Sequence, residues 1–131
     1  MRRSIIVPGF SHGENPVPAA CIVGNVLMSG AIFGIDPATG KLADTAGAQC
    51  SAMFAILGRV LAVGGCGLED VIKMTFFLQP DVPRALINDE WVKAFPHEAS
   101  RPARHVIVSQ TLSPRMLMQC DVCAIVSGGA A

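Results

Sequence analysis

The chain is 131 residues long, enough for one domain that buries roughly two-thirds of its unfolded surface. Half of it is hydrophobic (51%) and only 15% is charged, which excludes a disordered chain. Ten Lys and Arg balance ten Asp and Glu, and Arg2-Arg3 is the only adjacent basic pair, so nucleic-acid binding by phosphate neutralisation is not expected. So few charges cover the surface of a small monomer poorly, which predicts apolar surface shared with another subunit. The apolar stretch Ile5-Ile6-Val7 is too short for a signal-peptide core, and no segment is expected to span a membrane. A cytoplasmic protein with no membrane partner is expected, its five cysteines present as thiols.

In chain order, a short first strand is predicted at residues 4–7. A loop rich in Gly and Pro follows, from Pro8 to Pro18, with His12 in solvent. Ala20–Val23 and Val26–Ser29 are two apolar runs around Gly24-Asn25, the pattern of a tight hairpin. Asp36-Pro37-Ala38-Thr39-Gly40 is a second turn. A helix over 45–63 follows, with Met53, Ile56, Leu57, Val60 and Leu61 on one face, Asp44 or Thr45 as its cap and Gly64-Gly65 as its end. Val71–Leu78 alternates as a strand, with Ile72, Met74, Phe76 and Leu78 on one face and Lys73, Thr75 and Phe77 on the other. Asp81 is predicted to cap a second helix running to Phe95, where Leu86, Ile87, Trp91 and Phe95 form the inner stripe and Pro96 the stop. Strands at 104–109 and 116–126 finish the fold, and residues 127–131 form a flexible tail.

Two helices cannot cover both faces of such a sheet, so they belong on one face of an α+β domain with a mixed sheet. The last strand is nevertheless apolar on both sides. This implies subunits packed sheet to sheet in a closed oligomer. Cys120 and Cys123 lie three apart on that strand and point to opposite faces, so they form neither a metal site nor a redox pair.

Arg104 opens the β-branched run His105-Val106-Ile107-Val108, which reads as a buried strand. A guanidinium drawn towards a core needs an anion, supplied by a protein carboxylate or by a ligand carboxylate. A stem lying on the surface with its head in water is the bland alternative. Asp121 is the only carboxylate on the last two strands. If both charges lie on the sheet face turned from the helices, they form either an ion pair that sets register or a site. In the site, arginine would hold a substrate carboxylate and aspartate would move a proton.

At these residues the chain resembles the RidA/YjgF (L-PSP) family of enamine/imine deaminases. The resemblance runs from about Asn15 to Val126. It rests on Gly24-Asn25 with Met28-Ser29-Gly30, on Asp36 to Gly40, on Gln49 and Gly65, and on Leu68-Glu69-Asp70-Val71-Ile72-Lys73 with Thr75 and Phe77-Leu78. Asn88, Arg101-Pro102-Ala103-Arg104 and the strand carrying Asp121 complete it. It implies a chorismate-mutase-like fold assembled as a homotrimer, its sheets lining a central barrel and three sites in the clefts between neighbours. It also implies hydrolysis of carboxylate-bearing enamines and imines to keto acids and ammonia, with no metal or organic cofactor. Arg104 would grip the substrate carboxylate and Asp121 would activate water and shuttle a proton. Ser29, Gly30, Asn88, Val17 and Val106 would line the pocket.

Several positions depart from the family pattern. Val17 follows Pro16 where related deaminases carry a tyrosine, and the chain has no tyrosine. Aspartate stands at 121 where glutamate is usual, Ala31 where glutamine is common, and His105 where a small residue is usual. These departures point to a different substrate, such as a bulkier aminoacrylate or an aminomuconate. Two alternatives are a trimer that binds small carboxylates without turnover, and an endoribonuclease, which fits poorly with zero net charge. His97 suits a helix C-terminus, and Trp91 reads as a core or interface residue.

Overall fold

In a computed structural model that describes residues 1–127, a six-stranded mixed sheet carries two helices on one face. The strands are β1 (Arg3–Ile5), β2 (Ala20–Val23), β3 (Val26–Ser29), β6 (Val71–Leu78), β7 (Ala103–Val108) and β8 (Met118–Ile125), in the order β1-β2-β3-β8-β6-β7. Only the β6–β7 pair is parallel, joined through helix α2 (Arg84–Ala94). The Asp36 to Gly40 turn closes a small separate hairpin, β4 (Ile35–Asp36) with β5 (Lys41–Leu42), beyond the turn expected there. Of the tail expected at 127–131, all but Ser127 lies outside the described residues.

Helix α1 (Ala46–Val63) begins where Thr45 accepts a hydrogen bond on its hydroxyl from the Ala48 amide at 3.1 Å, so Thr45 and not Asp44 is the cap. It ends at Gly64 and Gly65. A Cβ on Gly64 would collide with the Leu27 side chain, and Gly65 takes the left-handed φ of +80° that favours glycine. By length and composition α1 could cross a membrane, contrary to the expectation that no segment approaches such a span. Here it is the core helix: Met53, Ile56, Leu57, Val60 and Leu61 are buried with Leu27, Met74, Phe76, Cys120 and Ala124 of the sheet.

The strand registers sort the side chains. Leu27↔Ala124, Met74↔Val122 and Phe76↔Cys120 face the helices, whereas Met28↔Cys123, Lys73↔Cys123 and Thr75↔Asp121 face away. Cys120 is buried and Cys123 half-buried on the opposite side, as the three-residue spacing requires. A register irregularity between Val71 and Lys73 puts Val71 in the core and leaves Ile72 47% exposed, which corrects the inner position expected for Ile72. Asp81 caps nothing. Helix α2 starts at Arg84 after Pro83, whose fixed φ leads into the helix without a side-chain cap.

Two glutamines secure the turn that leads into β8. Gln49, buried in α1, donates to the carbonyls of Ala43 and Arg115 (2.9 Å each) and accepts from the Leu117 amide at 3.0 Å. Gln79 donates to the carbonyls of Ser113 and Met116, each at 2.9 Å. The loop before β2 is also tied down. His12 is half-buried between Phe10 and Phe33, with Nε2 2.7 Å from the Ala31 carbonyl, so it is not the solvated residue expected.

Candidate active site

Arg104 pairs in register with Met74, so its side chain lies on the helix-covered face of the sheet. It does not enter the core. Strand β7 is an edge, with Ile107 and Val108 exposed, rather than the buried strand its composition suggested. At that edge the guanidinium meets α2. One Nη donates to Oδ1 of Asn88 at 2.8 Å, and the cationic carbon stands 5.0 Å from the centre of the Trp91 ring. Trp91 is held by Phe95 and Phe76, edge to face at 4.7 and 6.1 Å. The cation is therefore oriented by one amide and one fixed aromatic ring.

No carboxylate balances it. Among the described residues the only ion pair is Lys93 with Glu90, at 3.5 Å. Burial, and then the neighbouring Arg84 guanidinium, pull the pKa of Arg104 down from its ordinary value. Val106 follows on the same face of β7 and is half-buried, forming the floor next to the cation.

Asp121 is on the other face. It pairs with Thr75, whose opposite neighbour is His105, so a polar row Asp121–Thr75–His105 crosses the face turned from the helices. The condition that Arg104 and Asp121 share a face is thus not met within one chain, and they form no ion pair. Burial raises the pKa of Asp121 above that of an ordinary aspartate, opposed by the Lys73 ammonium and the Thr75 hydroxyl. A raised folded-state value means that this group's contribution to stability is present below the ordinary aspartate pKa. The contribution is lost as pH rises through the folded value, so ionised Asp121 is a cost to the fold.

Ser29 ends β3, three strands from Arg104 and about 14 Å across a ladder with ~4.8 Å spacing; Gly30 follows it, and Val17 lies in the loop before β2. Ser29 bridges the split where β3 leaves β8, accepting from the Val122 amide at 2.9 Å and donating to the Gly30 carbonyl at 2.8 Å. Gly30 is exposed, has no left-handed φ, and would meet nothing within 4 Å if it carried a Cβ. The protomer itself gives no reason for glycine there. Val17 is exposed between two prolines. The predicted residues therefore divide into two groups: Arg104, Asn88 and Val106 at the β7 edge, and Ser29, Gly30, Val17 and Asp121 around β3 and β8.

Two residues of the first group escaped sequence reasoning, Trp91 as a partner of the cation and Arg84. Their signal was the spacing Arg84-Asn88-Trp91, one stripe of a helix. A groove of about 860 Å³ lies elsewhere, between the β4–β5 hairpin and the Arg115 turn. It offers Asp36, Lys41, Asp44 and Arg115, of mixed sign, over a Gln49 whose polar atoms are already satisfied. The unbalanced cation makes the β7 edge the better candidate. No group of three or more His, Cys, Asp or Glu among the described residues could hold a metal ion.

The sequence model of a family described as Endoribonuclease L-PSP matches residues 14–126. A RutC family protein of Synechocystis sp. is 29% identical over 112 residues, covering 84% of this chain and 85% of that protein. The fold is similar to that of the YjgF gene product from Escherichia coli (TM-score 0.83, 19% identity, 94% of this chain and 98% of that one). It is equally similar to RidA from the Antarctic bacterium Psychrobacter sp. (TM-score 0.84, 21% identity, 94% and 98%).

Proposed function

The chain belongs to the endoribonuclease L-PSP family, the RidA/YjgF proteins, and on that premise we propose that it hydrolyses reactive enamines or imines bearing a carboxylate to keto acids and ammonia. The observation that carries this reading is Arg104: a half-buried guanidinium, oriented by Asn88 and Trp91, with no carboxylate among the described residues to meet it. A ligand carboxylate supplies the missing charge and accepts the two-point grip that guanidinium offers.

The division of the predicted residues supports a site shared between subunits. The face turned from the helices carries exposed Val23, Val26 and Met28, and the apolar edge β7 has unpaired backbone groups. Both features are covered if the protein is a homotrimer, with the β7 edge of one subunit set against the β3–β8 region of the next. Light scattering at micromolar concentration is expected to give three times 13.7 kDa, and a monomer would overturn this assembly.

In that cleft Arg104 holds the substrate carboxylate and the neighbour's Asp121 faces the imine carbon. Water adds to the C=N bond as a carboxylate takes its proton. That proton passes to the nitrogen to give a carbinolamine, whose hydroxyl then yields its own proton to the nitrogen as the C–N bond breaks, leaving a carbonyl and ammonia. Asp121→Asn is expected to slow keto-acid release from an imine generated by an amino-acid oxidase by about 100-fold, while keto-acid affinity changes little. The same variant should be more stable than wild type at neutral pH, because it removes an ionised group from a desolvated position. Unchanged turnover would remove Asp121 from the mechanism. Absence of any acceleration by the wild type would leave the non-catalytic reading, a trimer that binds small carboxylates.

A further inference from the structure

Arg104 is not the only cation at the β7 edge. Arg84 is the first residue of α2, and Asn88 and Trp91 follow it at four and seven positions, on one stripe of the helix. Asn88 and Trp91 both engage Arg104, so the stripe that carries Arg84 runs along Arg104's own face of the sheet. Strands β6 and β7 are parallel and joined by this one helix, so α2 runs back against β7. Passing from Trp91 to Arg84 on the helix therefore corresponds to passing from Arg104 towards Val106 and Val108 on the strand. The half-buried Val106 becomes the floor between Arg104, at the level of Asn88 and Trp91, and Arg84, ~6–10 Å away along the helix.

The local structure gives no reason for arginine at 84. The first helical position is the positive end of the helix dipole, where a cation is unfavourable, and the first turn of α2 has no acidic residue. Of the two acids later in α2, Glu90 is engaged by Lys93, and Asp89 lies off the stripe. Neither arginine has a carboxylate within 4 Å among the described residues. After burial, the Arg84 guanidinium is the second cause that lowers the pKa of Arg104. Arg104 is half-buried and Arg84 exposed at the rim of the same apolar floor, and with no counter-ion for either among the described residues the pair suits a ligand with two negative ends.

We propose that this site takes a dicarboxylate substrate, the imine or enamine of a dicarboxylic keto acid, with Arg104 on the carboxylate next to the reacting carbon and Arg84 on the distal one. The proposal rests on the reading of Arg104 as a carboxylate anchor and adds the specificity residue. Arg84 makes no contact with the reacting atoms.

Titration calorimetry with stable keto acids tests it on the full-length protein. The probes are 2-oxobutanoate with one carboxylate, and 2-oxoglutarate and 2-oxoadipate with two. Wild type is expected to favour at least one of the dicarboxylates by about tenfold or more at moderate ionic strength. Arg84→Gln should bring that ratio close to one, whereas Lys41→Gln, remote on β5, should leave it unchanged. Arg104→Gln should weaken all three ligands. A ratio unchanged in Arg84→Gln, or no wild-type preference for either dicarboxylate, overturns the dicarboxylate proposal and leaves the anchor standing. Arg104→Gln binding all three as wild type does would instead overturn the anchor, and the proposal with it. Thermal unfolding of Arg84→Gln checks the fold separately, and the ratio of affinities is a quantity that a merely structural role would not change.

Discussion

Arg104→Ala is expected to reduce keto-acid affinity several hundred-fold, about 3–4 kcal/mol, and to leave the subunit folded. The magnitude follows from removing one partner of a close, partly desolvated charge pair, which strands the ligand carboxylate without its donors. The fold should survive because the side chain serves no anion among the described residues. Its contacts are a single hydrogen bond to the exposed Asn88 and the face of Trp91, and Trp91 stays packed against Phe76 and Phe95. Calorimetry with 2-oxobutanoate and circular dichroism on the same sample separate the two effects. Wild-type affinity in the variant would refute the site. A variant that does not fold would show that the cation holds the β7 edge to α2, as a structural contact.

Gln49→Leu carries the largest expected cost to stability, about 3–5 kcal/mol. The side chain is 2% exposed, and it satisfies the carbonyls of Ala43 and Arg115 and the amide of Leu117. A leucine matches the volume but leaves these groups without partners, at about 1–3 kcal/mol for each that stays dry. Relaxation is blocked on one side, because Gly34 packs so closely on the Gln49 backbone that a Cβ there would collide with the Gln49 carbonyl oxygen. Gln79 makes a similar pattern of bonds to Ser113 and Met116 from a half-buried position. Water can replace it, so Gln79→Leu should cost about 1 kcal/mol. Urea unfolding at equal protomer concentration compares the two, and equal costs would refute the role assigned to burial.

The elements that matched expectation are those whose signals are local. The two runs around Gly24-Asn25 became β2 and β3 with the expected bounds, and the five-residue stripe of α1 is buried throughout. The misreadings involve relations between segments. Whether Arg104 and Asp121 share a face depends on register across three strands, since β7 pairs with β6 and not with β8, and no periodicity within either strand carries that information. Ile72 moved outward because one irregularity beside Lys73 shifts the alternation of β6. His12 looked solvated in a Gly-rich loop, but Phe10 and Phe33 close around it from positions that only the fold brings together. Arg104 stood out as the charge that opens an apolar run, whereas Asn88 was found by resemblance to a family. Arg84 and Trp91 required α2 to be laid along β7.

Trp91 is the only tryptophan in a chain without tyrosine, and its ring lies under the Arg104 guanidinium. The near-ultraviolet emission of the whole protein therefore originates beside the proposed carboxylate anchor. An anion that draws the guanidinium from the ring changes the field and the quenching felt by that single fluorophore. The protein thus carries its own optical reporter of occupancy, one that needs no label and no coupled enzyme, and that follows binding on the timescale of mixing whether or not turnover occurs.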